Sequence, residues 1–220
     1  MEYFIFKDIS SETMGVLMSD EWTYAKAVQR YETTEIDGRD GAIITPLGFF
    51  LVEKDVECTL LNRKRLNDVI AWLSGSGRLE FDGRYRQACI YKQIDYDVMG
   101  WNKNRFTIPF MMEPFWYRDD GYIEYQSGDE VENCGNYAAV PMIQITGSGD
   151  GTVTVGNVVI RIYSLQNTET LEIDCQEMTE NLPSRVGLGF EYPRLAPGKN
   201  EIIITGNLTV KIKRKDRWLG

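Results

Sequence analysis

The chain has no histidine. That removes imidazole acid–base catalysis, histidine-activated nucleophiles and histidine metal ligation together, and weakens every enzymatic reading not built on carboxylates. It has no CxxC pair either: Cys58, Cys89, Cys134 and Cys175 follow one another at intervals of 31, 45 and 41 residues. Such spacing reads as free thiols of a protein made in a reducing compartment. No apolar run approaches the roughly 20 residues of a membrane helix, so no membrane insertion is expected. The longest, around Gly41–Val52, is interrupted by Thr45 and Pro46. The opening MEYFIFKD meets Glu2, Lys7 and Asp8 too soon to read as a secretory leader.

A basic surplus is missing too. The net charge is −9, with 14 Lys+Arg against 18 Asp+Glu in residues 1–116 and 10 against 15 in residues 117–220. Neither half has the excess cations that phosphate neutralisation demands, so no specific nucleic-acid binding is expected.

What is present suits two modest domains, with 220 residues and 43% hydrophobic content. Their hinge is Asn104–Arg118. Phe106, Ile108, Phe110 and Met112 alternate as the core face of a strand; Pro109 suggests a sheet edge, and Pro114 a strand end ahead of Phe115-Trp116-Tyr117. Before the hinge, short strands are expected at Tyr3–Lys7 and Thr13–Met18, separated by a polar turn at Ser10–Glu12. Further strands follow at Tyr24–Glu35, Phe49–Thr59, Leu79–Phe81 and Gln87–Tyr96. Asp37–Gly41 is a turn cluster without the ligand spacing of a calcium loop. Leu66, Val69, Ile70 and Leu73 fall at i, i+3, i+4 and i+7, which predicts a helix over Arg63–Ser74, N-capped by Asn62 and stopped at Gly75. Arg63, Lys64 and Arg65 in its first turn oppose the helix dipole, and read as a solvated face or as partners of an acidic neighbour.

After the hinge the pattern is all-β. Gly156-Asn157 links two β-branched runs as a hairpin, Gly206-Asn207 repeats the device, and Gly147–Gly151 reads as a glycine-rich turn. Regular short strands predict a β-sandwich of jelly-roll type. Chemistry is sparse. Glu113 near Trp116, or Glu191 near Tyr192, offers half of a glycosidase carboxylate pair, and exposed aromatics offer sugar stacking.

The order of motifs adds a family. IDGRDGAI (36–43), LNDVIAWLSGSGRLEFDGRY (66–85), FTIPFMMEPFWY (106–117), NCGNYAAVPMIQITGSGDG (133–151) and LAPGKNEIIITGN (195–207) resemble, in sequence order, the distal tail (Dit) protein family of phages with non-contractile tails. The resemblance implies an α+β N-terminal domain (1–116) that forms a ring and a galectin-like, jelly-roll C-terminal domain (117–220). It implies a structural component of the phage tail tip, not an enzyme and without a cofactor. Such a protein assembles as a hexameric hub between the tail tube protein and a tail-tip or receptor-binding protein. On it we place the ring interface at Phe49, Leu51, Arg63, Lys64, Arg65, Arg105 and Thr107. Phe115, Trp116 and Tyr117 are placed at a joint between the domains. The alternative is a carbohydrate-binding module for host-surface polysaccharide, with these rings exposed as its stacking platform.

Overall fold

The computed structural model describes residues 3–96, 104–118, 120–187, 189 and 191–220. It divides into two compact units, Met1–Trp116 with Leu219–Gly220, and Tyr117–Trp218.

The first unit is built on one antiparallel sheet. Its backbone is the pairing of Val52–Leu60 with Arg105–Met112, unbroken from Val52↔Met112 to Thr59↔Arg105. From there the sheet continues through Arg84–Ile90, Ser76–Phe81 and the short strands Ile5–Phe6 and Ile9–Ser10, with Val16–Met18 on the other flank. The alternation at 106, 108, 110 and 112 is the buried face, as expected. Pro109 is not on an edge strand, because Arg105–Met112 is paired on both sides. It is tolerated because it lies where the ladder with Arg84–Ile90 ends: beyond Ile90↔Phe110, its carbonyl still accepts from Tyr91 N at 3.3 Å, and only the returning bond is lost.

The helix is shorter than its pattern. Asn62 caps as expected, its Oδ1 accepting from Lys64 N at 3.0 Å, but Arg63–Arg65 form a 3-10 turn and the α-helix spans only Leu66–Trp72. Trp72, rather than Ile70, completes the buried stripe. Its indole lies 5.7 Å from Phe4 in a stack and donates to Phe6 O at 2.8 Å, while Phe4 and Phe6 meet Phe110 edge-on. Ile70 is 45% exposed. A second departure lies at Ser10–Glu12. The polar run there is a one-turn helix, Ser11–Met14, with Ser10 as its cap and Gly15 closing it at φ +70°.

Beneath Trp116, the unit buries a cation. Arg86 is 1% exposed, and its guanidinium lies 4.1 Å from the centre of the Trp116 ring with Nη1 donating to Glu113 O at 3.1 Å. Burial pulls its pKa down to about 10. Trp116 in turn meets Trp22 edge-on at 5.9 Å, and Lys54 caps the Trp22 ring from 5.0 Å. Alternating cation and ring is how this region tolerates the buried Arg86 and the half-buried Lys54, with no carboxylate paired to Arg86 among the described residues.

The second unit is all β. Two long strands, Met142–Val155 and Gly198–Lys213, pair along nearly their whole length. The glycine-rich stretch Gly147–Gly151 and the Gly206-Asn207 pair are therefore not turns. Both lie within continuous strands, where the register slips between Ser148 and Thr152. A Cβ at Gly147 would collide with Asn207 O, and one at Gly206 (φ +86°) with Asp150 O, so glycine is what permits the bend. Gly156-Asn157 does form the expected hairpin, with Val155↔Val158 closing it. Bending lets both halves of each long strand supply one core, including Ile143, Ile145, Val153, Ile202, Val210 and Ile212. The basic run near the end is partly buried. Arg118 and Arg214 bracket Asp120 and the fully buried Asp216, with Arg214 Nη2–Asp120 Oδ2 at 2.7 Å and Cys134 N donating to Asp216 Oδ2 at 3.3 Å.

Two predictions follow from these buried charges. Trp116→Ala should lower unfolding stability in urea by about 4 kcal/mol, since it opens a cavity and uncovers Arg86; Trp116→Phe should cost less than half of that, and Arg86→Met about 1 kcal/mol or less. In the second unit, burial works to raise the Asp120 pKa, but the bonds from Arg118 and Arg214 prevail and lower it. Its stabilisation is therefore present above the unfolded carboxylate pKa and lost as pH falls through the lower folded value. Asp120→Asn should cost about 1 kcal/mol at pH 7, a deficit that shrinks in urea titrations as pH falls below the ordinary carboxylate range.

Candidate interaction surface

Between Val28 and Phe50 the chain leaves the main sheet. Gln29–Glu35 and Ala42–Phe49 pair only with each other, from Glu35↔Ala42 through Thr33↔Ile44 to Gln29↔Phe49, as a separate two-stranded sheet. Gly38 and Gly41, at φ +82° and +78°, turn its tip. Its root is firm: Phe50 N donates to Val28 O at 2.9 Å and Phe49 meets the buried Phe115 edge-on at 5.4 Å.

Strand alternation puts Tyr31, Thr33, Ile44 and Pro46 on one face of this arm and Glu32, Thr34, Ile43 and Thr45 on the other. Neither face is covered. Ile44 is 63% exposed and Tyr31 58%, and Ile36, Ile43 and Leu47 are exposed as well. An isolated two-stranded hairpin is marginal in water, and its outer edges keep unpaired backbone groups. Apolar side chains on both faces of such a ribbon mark a surface that another body covers.

The residues expected at a ring interface do not form one patch. Phe49 is half-buried at the root of the arm, and Leu51 is exposed just beyond it. Arg63 and Lys64 are exposed on the 3-10 turn, on the helix layer; among the described residues neither side chain has an ion pair or hydrogen bond. Arg65 is engaged within its own unit, donating to Thr13 O and lying 4.0 Å from Asp68. Arg105 and Thr107 stand on the opposite face of the sheet, paired with Thr59 and Glu57. They line a groove of about 540 Å³ together with Asp55, Glu57, Lys92 and Asp95. The arm's own Tyr31, Ile44 and Leu47 escaped the sequence reading. The signal for Ile44 and Leu47 was the apolar run Gly41–Val52, which alternation alone does not reveal as uncovered on both sides.

Phe115 and Trp116 are buried in the first unit, at 8% and 0% exposure, and Tyr117 is half-buried. The first two rings present no open face to a sugar. Of the carboxylates that suggested a glycosidase, Glu113 is half-buried and burial raises its pKa. Glu191 is exposed in a groove of about 680 Å³ beside Tyr192 and Arg194. Tyr192 Oη donates to Glu180, and this bond is the main reason its pKa rises to about 12. All four cysteines are free, and burial pushes the Cys58 and Cys175 thiols up to about 12, far from thiolate chemistry. Among the described residues no group of three or more Cys, Asp or Glu is placed to hold a metal.

No protein-family model matches the sequence, and no curated protein matches it. Solved structures do. The chain superposes on the Dit protein (gp 19.1) of phage SPP1, described as a paradigm of the hub adsorption apparatus in phages infecting Gram-positive hosts. The TM-score is 0.72 at 14% identity, over 98% of this chain and 99% of that one. A chain of the phage p2 baseplate in its activated, strontium-bound conformation matches with a TM-score of 0.41 at 10% identity, over 97% and 98% of the two chains. The fold anticipated from the order of the motifs is thus the one observed: along nearly its whole length, this chain has the fold of a phage Dit protein.

Proposed function

We propose that this protein is a distal tail protein of a phage or prophage with a non-contractile tail, a structural hub and not an enzyme. Six copies close into a ring through their first units. One face of the ring meets the tail tube protein; the other meets a tail-tip or receptor-binding protein, and the assembly resides at the tip of the virion's tail. The observation that carries this reading is the uncovered arm, in a chain that shares its fold with an SPP1 protein described as a hub.

The physical argument is closure. A ribbon that buries nothing and leaves its edges open invites association, and a ring of identical subunits gives every arm the same neighbour. Obligate interfaces of this sort bury on the order of 2,000 Å² or more, within reach of an arm together with the surface around its root. The absence of histidine and the high thiol pKa values fit a scaffold whose work is contact, not chemistry.

Light scattering coupled to chromatography should find an assembly of about six 25.3 kDa chains, alone or on mixing with the tail tube protein. Ile44→Asp with Leu47→Asp should abolish that assembly without shifting the urea midpoint of the isolated chain. A strict monomer at high concentration, with and without the tube protein, would overturn the hub. Binding of the monomer to host-wall polysaccharide would replace it with an adhesin.

A further inference from the structure

A ring made head to tail needs two different surfaces on each subunit, one that reaches and one that receives. The arm is the reaching surface; its receiver must be a different place on the next copy. We infer that the arm of one subunit lies along the helix layer of its neighbour, over Leu61 and Ile70, with its acidic tip against Arg63 and Lys64. This rests on the ring reading above and specifies which two surfaces meet.

Three observations converge on that receiver. Leu61 is 63% exposed and Ile70 45%, and both lie outside the arm on the same short stretch of chain. Ile70 is the position at which the helix's apolar pattern fails to turn inward, so the pattern supplies an apolar side chain that the subunit's own core does not use. Beside them, Arg63 and Lys64 project from the 3-10 turn with no partner among the described residues, in a helix start where cations are disfavoured. An approaching anion would relieve that placement.

The arm carries the complementary charge. Glu32, Glu35, Asp37 and Asp40 outnumber Arg30 and Arg39, leaving it two negative charges in excess, and Glu35, Asp37 and Asp40 cluster at its tip. Apolar side chains on the shaft and carboxylates at the tip match an acceptor with apolar residues flanked by a basic turn. Burying the face that carries Tyr31 and Ile44 supplies the affinity, while the charges set register and speed encounter. The outer face of the sheet around Asp55 and Glu57 sets Asp55, Glu57 and Asp95 against Lys92 and Arg105, so it lacks the purely basic character of the 3-10 turn.

Charge exchange and cross-linking test the pairing. Arg63→Glu with Lys64→Glu should weaken ring assembly by roughly tenfold or more, and adding Glu35→Lys with Asp37→Lys should restore most of it. In a Cys134→Ser background, chains bearing Ile44→Cys mixed with chains bearing Leu61→Cys should form a heterotypic disulfide under mild oxidation. Mixing separate chains excludes an arm folded onto its own helix. Rings that form normally in the charge-reversed variant, or that yield no heterotypic disulfide, would overturn this pairing and leave the hub standing. Chains that never assemble, wild type included, would overturn both.

Discussion

Every backbone ladder in this protein has to end, bend or be covered, and that single constraint of hydrogen bonding shapes both units. In the first, the full pairing of Val52–Leu60 with Arg105–Met112 fixes the sheet, and the adjoining ladder ends at Pro109, whose carbonyl accepts from Tyr91 N but which has no N–H to return the bond. In the second, two strands of 14 and 16 residues would run past one another as an overlong ribbon if Gly147 and Gly206 did not let them fold over their own core. The arm is the ladder that obeys none of these solutions within the chain. Among the described residues it neither joins the larger sheets nor receives a cover.

Charge is handled in opposite ways by the two units. Arg86 is buried against a ring and a carbonyl, and desolvation lowers its pKa. Asp216 is buried among guanidinium groups; burial still raises its pKa despite the Arg214 charge and the bond from Cys134 N. Its Oδ2 receives the bonds from Arg118 and Cys134, while among the described residues Oδ1 receives none. Its neighbour Asp120 receives bonds from both arginines and is shifted the other way. Burial separates the two: desolvation leads for both, and only at the less buried Asp120 do the bonds outweigh it. Arg118 and Asp120 are thereby tied to Arg214 and Asp216.

Among the described residues Arg63 and Lys64 have no ion pair or hydrogen bond, while Arg65, one residue on, is engaged within its own unit. Three basic residues in a row thus divide into one that holds the fold and two that face solvent. Exposed isoleucines separate in the same manner, since Val69 and Trp72 close the core and Ile70 does not join them.

The sequence by itself determined the alternating core face 106–112, the Asn62 cap, the Gly156-Asn157 hairpin and, through the order of its motifs, the Dit-like fold. Each depends on short-range periodicity, on a local backbone requirement or on their succession, and all of these are written in neighbouring residues. Only the tertiary structure decided that Gly147–Gly151 and Gly206-Asn207 bend continuous strands, because a bulge and a turn demand the same glycines and differ only in what pairs across them. It alone placed Trp116 over Arg86, 30 residues apart in sequence, since a cation–ring contact leaves no periodic trace. And it alone showed the arm uncovered on both faces by the described residues: alternation reports which side chains share a face, but whether anything packs against that face is a property of the whole chain.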